Sequence, residues 1–423
     1  MVHGNMFGIK KQSMKYRPIV RYLHNMQLND FIIMKKRLLI IGILFSIGCF
    51  AQESDRALKR VSFSGTGYKL GLQHGTELKE EIEAIVSAWK KNTSKQLGKD
   101  ADKVVADFFE YSDFTKAIKQ WTPELYEEII GISDGSEQKF RDVFVLNLLD
   151  EFWVYVNNIH NHHCSGMGVP ALNGNPGYLS QNMDLENYTD GFQVLMRLKR
   201  TKKQPEQLIL THPGLIALNG LNENGVGVCV NTLIQLRAAA NGLPVAFIIR
   251  KIIGTSNKKE VLHFIRKVKH ASGQNYIIGI QGEVFDFEAS ANKVVRFIPA
   301  NKNGTVYHTN HPLMNNDLKP WFEAYNPDLI KEQNSLKTDS HYRFRAIEKR
   351  MTTQKEVTEQ SLINALRSKD NNKNPVCKTN NKNGQGFTFA SVVMTLSEKP
   401  YLQIVPGPPD ESEFIRVDFS KAK

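Results

Sequence analysis

The chain has 423 residues, 41% hydrophobic and 23% charged with every aromatic type present, a make-up that excludes a disordered or fibrous protein and allows two or three domains or one large one. Its formal net charge of +12 points to nucleic acid only until it is located, because residues 1–51 hold eight Lys/Arg against one acid, Asp30, and the remaining +5 is spread in mixed-sign runs. No basic stripe with interleaved aromatics is present, so no nucleic-acid partner is expected.

From Met34 the chain reads "MKKRLLIIGILFSIGCFAQES": a positive start, an apolar run from Leu38 to Ile47, then small residues. That is the pattern of a secretory signal peptide, with cleavage expected after Ala51 and Met34 as the expected start, so that residues 1–33 are an upstream extension or a misread start. The apolar run is short of the ~20 residues a membrane helix needs, and the mature protein is expected to be exported, periplasmic or extracellular, and not transmembrane. A lipid anchor on Cys49 is the less favoured reading, since Ser46 stands where a larger aliphatic residue is expected. Only Cys164, Cys229 and Cys377 follow the leader. That odd, small number argues against a disulfide framework and for at least one free thiol.

Residues 52–156 read as mainly helical. "TELKEEIEAIVSAWKK" sets Leu78, Ile82, Ile85 and Trp89 on one helical face, Thr122-Pro123 opens a further helix, and "DVFVLNLLDEFWVYV" predicts a deeply buried one. After Cys164 the texture changes to short β-like runs, "GYLSQNMD", "FQVLMRLKR" and "QLILTH". In "LIALNGLNENGVGVCVNTL" two strands are joined through Asn224-Gly225, a strong hairpin signal. A helical insert over 244–269 precedes the strands "NYIIGI", "VFDFEAS", "VVRFIP" and "TVYHTN". A helical stretch from Ser340 to Leu366 and a polar loop over 369–386, read as mobile or lid-like, lead to "FTFASVVMTL", "PYLQIV" and "FIRVDF". Antiparallel meanders with helices in blocks predict a layered α+β fold.

The chemistry centres on "NIHNHHCSG", Asn158 to Gly166. His160, His162, His163 and Cys164 are all possible zinc ligands, but adjacent residues seldom point at one ion. Cys164 as a small core hydrophobe is the bland alternative, and it is the natural reading of Cys229 inside "VGVCVN". A papain-like cysteine should open a helix near the mature N-terminus, whereas this one opens a run of strands. A nucleophile that opens a sheet suits an enzyme whose catalytic residue becomes the N-terminus of a processed chain, its own α-amino group (reference pKa about 7.7–8.0) serving as base.

"CSGMGVPALNGNPGYLSQNMDLE" resembles the nucleophile-bearing segment of the choloylglycine hydrolase and penicillin V acylase group and of the related acyl-CoA:isopenicillin-N acyltransferase family of autoproteolytic acyltransferases and hydrolases. "LNGLNENGVGVCVN", "HTNHP" and "SHYRF" resemble further family motifs in family order, and "FSGTGYKLGLQHGTELKEEI" resembles its opening, so the likeness spans roughly residues 61–420. The resemblance implies a four-layer αββα sandwich of N-terminal-nucleophile hydrolase type, built from a helical pro-segment, 52–163, and a catalytic chain, 164–423, as one domain. It implies Cys164 as nucleophile, Asp184 as the residue holding its amine, Asn231 and Asn310 as oxyanion donors and Arg343 as the charge beside the thiol. Gln181, standing where bile-salt hydrolases carry arginine, and Asn182 are the implied substrate contacts. Self-cleavage between His163 and Cys164 is implied, although many relatives carry glycine before the cysteine. The expected activity is hydrolysis or acyl transfer on a linear amide, with a small-molecule amide or acyl partner, no cofactor and no metal. Homo-oligomerisation is left open. The two other readings are a metal-binding or zinc-dependent enzyme using His160–Cys164 and a non-catalytic envelope binding protein on the same fold.

Overall fold

A computed structural model describes residues 56–156, 164–325, 338–381 and 386–421. The leader with Cys49, and His160 to His163, lie outside these residues. Among the described residues the first element is a strand, β1 (Lys59–Phe63), where the sequence reading expected helix. Seven helices follow: α1 (Tyr68–Glu77), α2 (Lys79–Leu97), α3 (Ala101–Tyr111), α4 (Phe114–Trp121), α5 (Pro123–Ser136), α6 (Phe140–Leu146) and α7 (Leu149–Tyr155). Then come β2 (Ser165–Val169), β3 (Gly177–Leu185), β4 (Val194–Leu198), β5 (Gln207–Thr211), β6 (Asn219–Asn222) and β7 (Val226–Thr232). Helices α8 (Val245–Ile253) and α9 (Lys258–Lys267) separate these from β8 (Gln274–Ile280), β9 (Glu283–Ala289), β10 (Val294–Phe297) and β11 (Val306–His308). Helices α10 (Pro320–Tyr325), α11 (Asp339–Thr353) and α12 (Glu359–Leu366) precede β12 (Phe387–Leu396), β13 (Tyr401–Pro406) and β14 (Ile415–Asp418).

The strands form two sheets, β1-β4-β5-β6-β7-β8-β9-β10 and β11-β2-β3-β12-β13-β14. All neighbours are antiparallel except β1, which runs parallel to β4. The sheets face one another through β2, β3 and β12 against β7, β8 and β9, with α8 against β6 and β7 and with α11 and α12 against β11, β3 and β12. Four layers, αββα, result. Buried on both faces, the inner strands read as near-continuous apolar runs; β7 and β12 have no exposed position.

Three local departures from the sequence reading have physical causes. "DVFVLNLLDEFWVYV" breaks into α6 and α7 at Asn147, whose side chain donates to Val143 O (2.9 Å) and Gly214 O (2.8 Å) and accepts from Ile216 N (2.9 Å). An Asn that offers backbone groups such partners competes with the helical ladder. The stretch from Ser340 to Leu366 divides at 354–358, and α12 restarts behind a Thr358/Ser361 capping box. The described part of the polar loop is pinned and is no free lid: Asn182 Nδ2 donates to Val376 O (2.9 Å), and Lys378 Nζ meets Asp339 Oδ1 at 2.6 Å. The predicted hairpin forms, β6 to β7, with Gly225 at φ 71 in its turn.

Two contacts fix the pre-Cys164 helices, one among themselves and one to helix α8. Helices α1 and α5 touch backbone to backbone, since a Cβ at Gly71 would lie 1.9 Å from Glu128 O and one at Gly131 2.2 Å from Tyr68 O. Beside them the Arg250 guanidinium of α8 grips the Glu128 carboxylate of α5 at 2.7 and 2.9 Å, both side chains buried.

Candidate active site

Strand order places Cys164. It immediately precedes β2, which lies between β3 and β11, both antiparallel to it. The C-terminal ends of both neighbours therefore arrive at the N-terminal end of β2, bringing Asp184 from β3 and Asn310, two residues past β11. From the facing sheet β7 contributes Asn231, whose approach requires a bare backbone: a Cβ at Gly166 would stand 3.0 Å from Asn231 Oδ1. Arg343 comes from the first turn and a half of α11, on the outer side.

Arg343 is fully buried and holds the group together. Its Nη1 donates to Cys164 O (2.7 Å) and Ser165 Oγ (2.9 Å), its Nη2 to Asn310 Oδ1 (2.8 Å), and its Nε to Asp339 Oδ2 (2.8 Å). Arg345 instead lies over the Tyr342 ring, and Arg350 pairs with Asp370. Asn310 is further fixed by Nδ2 donating to Thr232 O (3.1 Å) and by its N–H on Ser340 Oγ (2.7 Å). The stretch after it is anchored by buried Glu288, which accepts from His308 Nε2 (2.8 Å), Met314 N (2.9 Å) and Asn315 N (2.6 Å). Asn231 Nδ2 makes only a long contact to His308 O (3.4 Å), and its Oδ1 has no partner. An amide nitrogen carries two hydrogens, so each Asn keeps one donor beyond these bonds.

Cys164 Sγ lies 3.5 Å from Met183 Sδ and 3.8 Å from Asp184 O. Burial pushes the thiol up to about 12, Asp184 adds to the effect, and Arg343 opposes it. In the intact chain the sulfur is therefore a neutral thiol, whose proton must pass to another group as the sulfur attacks. Asp184 Oδ1 accepts from Thr388 Oγ1 (2.8 Å), while its buried Oδ2 has no partner, which leaves a place for a donor.

Burial pushes Asp184 up to about 7, with Lys378, Arg343 and the Thr388 hydroxyl pulling it back. A carboxyl whose folded pKa stands above its unfolded value stabilises fully below the unfolded value, and that contribution is lost as pH rises through the folded one. Uncleaved Cys164→Ala protein is expected to lose thermal stability between about pH 5 and pH 8, and adding Asp184→Asn should flatten part of that slope. Glu151 and Asp286, pushed to about 7 by burial as well, keep the remainder. Thermal melts across the range measure it; an equal slope in both variants would contradict the assignment.

The structure does not bring the other two sequence-predicted residues to this cluster. Gln181 faces the opposite sheet, donating to Val230 O and accepting from Asn219 Nδ2 (2.8 Å). Asn182 faces the outer helices, donating to Leu366 O (2.9 Å) and accepting from Ser391 Oγ (2.5 Å). These bonds run to strands and helices of the sandwich. Sequence reasoning missed Asp339, Ser340 and Thr388, which hold Arg343, Asn310 and Asp184. Asp339 was within reach, standing four residues before Arg343. Also missed was the cavity of about 80 Å³ beside Cys164, walled by Leu149, Asp150 and Trp153 of α7 together with Asp184, Val230 and Ile249.

Two facing sheets between helical layers, with a cysteine heading an inner strand, make the four-layer α+β sandwich expected from the sequence. The chain belongs, more narrowly, to the acyl-coenzyme A:6-aminopenicillanic acid acyl-transferase family, whose model matches residues 172–409. Asp184, Asn231, Asn310 and Arg343 lie inside the matched stretch, and Cys164 stands just ahead of it. The acyl-coenzyme A:6-aminopenicillanic-acid-acyltransferase 40 kDa form of Emericella nidulans is 25% identical over 272 residues, 63% of this chain and 72% of that protein. Among solved structures, penicillin V acylase from Agrobacterium tumefaciens is similar over 60% of this chain and 86% of its own, with 14% identity and a TM-score of 0.38. No helix among the described residues is long and apolar enough to cross a membrane.

Proposed function

We propose that this protein is an exported hydrolase or acyltransferase of linear amides that works through an acyl-cysteine on Cys164 and is activated by cleavage before that residue. The observation that carries the reading is the convergence of Asp184, Asn310 and Arg343, from three separate elements, on the head of β2. Export rests on the leader from Met34, and cleavage on the family resemblance.

In the activation step Cys164 Sγ attacks the His163 carbonyl carbon, the peptide nitrogen takes the thiol proton and leaves, and a thioester forms. Water then hydrolyses that thioester, freeing a carboxylate on His163 and an α-amine and thiol on Cys164. The new amine sits where Asp184 Oδ2 lacks a partner and becomes the base that the buried thiol needs. In turnover the amine accepts the thiol proton, sulfur adds to the substrate carbonyl, and Asn231 and Asn310 donate to the oxyanion. Collapse expels the amine portion of the substrate, protonated by the α-ammonium, and water or a second amine takes the acyl group from sulfur. Hydrolysis is the favoured outcome, because outside the cell water is abundant and acyl-CoA is scarce.

Intact mass and N-terminal sequencing of protein expressed without residues 1–51 test the reading. A chain that begins at Cys164, with amidase activity sensitive to iodoacetamide, is the expected result. An uncut chain with no thiol-dependent activity would overturn it. Asn310→Ala is expected to lower kcat by about 10²–10³ with little change in KM, as for loss of one oxyanion donor; steady-state kinetics on a chromogenic amide decide, and a pure KM effect would remove Asn310 from that role.

A further inference from the structure

One carboxylate stands behind both proposed oxyanion donors. Glu288 of β9 and His308 at the end of β11 belong to different sheets, are fully buried, and meet at 2.8 Å. The same carboxylate accepts the backbone N–H groups of Leu313, Met314 (2.9 Å) and Asn315 (2.6 Å). The stretch from His308 to Asn315 is thus tied at both ends to one group, with Asn310 between the ties. Asn231 joins the same arrangement, because its Nδ2 rests on His308 O.

Hydrogen-bond geometry fixes the charges. His308 Nδ1 lies 2.7 Å from Thr309 O, which can only accept, so that nitrogen carries a proton. Three amide donors converge on Glu288, the surroundings of an ionised carboxylate, so the Nε2 that faces it carries a proton too. His308 is therefore an imidazolium. Burial opposes both charges; against it, the bond to Glu288 and the charges of Asp286 and Glu288 hold His308 above its ordinary value, and the bond to His308 with the backbone amides holds Glu288 below its own. Asp286, two residues before Glu288, accepts from Asn275 Nδ2 and is pushed up to about 7 by burial, with His308 pulling it back. His311 is held well below its ordinary value by burial, with His341 and His308 adding to the effect, and is neutral. Strand β2 sets Gly166 opposite His308, and the Arg343 guanidinium is reached only through Asn310. A buried ion pair is a poor source of stability, since apolar residues of like volume often serve as well or better. What this one secures is the placement of the chain between its ties.

We infer that Glu288 and His308 are positioning residues for the reaction, a charged clamp that holds the amides of Asn231 and Asn310 where an oxyanion would form. The inference rests on the reading of Cys164 as the acyl-accepting residue. As pH rises through the His308 value the ring gives up one proton, one of its two bonds is lost, and the clamp slackens. Activity is then lost on the alkaline side through kcat, because oxyanion donors act in the transition state.

Glu288→Gln keeps the shape and removes the charge. In the processed protein it is expected to lower kcat at least about tenfold with KM within about twofold of wild type, and to move the alkaline limb of kcat down by about one pH unit or more. Nitrogen-15 histidine NMR supplies the signature: an imidazolium that persists at about pH 8, where an ordinary imidazole is neutral, and that is absent from the variant. An unmoved limb, a change confined to KM, or no imidazolium at that pH overturns the inference. If the variant does not fold, the wild type decides: the alkaline loss of kcat has to follow the titration of that imidazolium, and separate curves overturn the clamp. If the wild type hydrolyses no amide, the amidase reading fails by itself. Hydrogen exchange then decides the clamp, faster exchange of the amides of 310–315 in Glu288→Gln upholding it and equal exchange overturning it.

Discussion

Cys164→Ala is expected to remain one uncut chain and to lose amidase activity by about 10⁴–10⁶, the range seen when a covalent nucleophile is removed from an otherwise intact site. Its fold should be kept, because the thiol's hydrogen-bond contacts are two long ones, to Met183 Sδ (3.5 Å) and Asp184 O (3.8 Å). Mass spectrometry, the melting temperature and a chromogenic amide assay separate the cases. A variant still cut, or still active, would place the chemistry elsewhere. Cys164→Ser is the informative companion: a hydroxyl is a poorer nucleophile than a thiol with the same base beside it, so slow or partial cutting is expected and a complete block is not.

The second large effect is on stability. Arg250→Met strands the Glu128 carboxyl between α5 and α8, and loss of about 3–5 kcal/mol is expected, as when one partner of a buried pair is removed. Burial already raises the Glu128 pKa, with Arg250 pulling against it. Without Arg250 the pKa rises further, so the variant should be least impaired in acid and should weaken as pH climbs through the raised value. Adding Glu128→Leu removes the stranded charge and should restore most of the loss. Denaturant titrations of the two variants at acid and neutral pH measure this; a double variant no more stable than Arg250→Met would show that the stranded Glu128 charge is not the source of the loss.

What could be read from the sequence was short-range. The change from helical to β texture at Cys164, the Asn224-Gly225 hairpin and the strand "GYLSQNMD" are carried by neighbouring residues: β2 opens at Ser165, the hairpin forms, and β3 ends at Leu185. What escaped depends on partners far along the chain. Strand β1 is five residues whose parallel partner begins at Val194, and the break at Asn147 is made by Gly214 and Ile216. "YRFRAIEKR" offers three arginines alike in sequence; burial under α11 singles out Arg343. Gln181 and Asn182 were assigned to substrate by analogy, whereas β-strand alternation sends one into the facing sheet and the other to the outer helices.

Strand β1 has a bearing on how the protein can be made and unmade. It is the edge strand of the larger sheet and lies upstream of the proposed cut, so a processed molecule would keep one rim of that sheet on a separate polypeptide. Unfolding would then become dissociation: the melting temperature of the cut form should depend on protein concentration, while that of the uncut form should not. Two fragments parted by heat would have to find each other again across an exposed β4 edge, which favours aggregation over return. Maturation would thus act as a ratchet, converting a chain that can refold alone into an assembly whose durability is set by how slowly it comes apart.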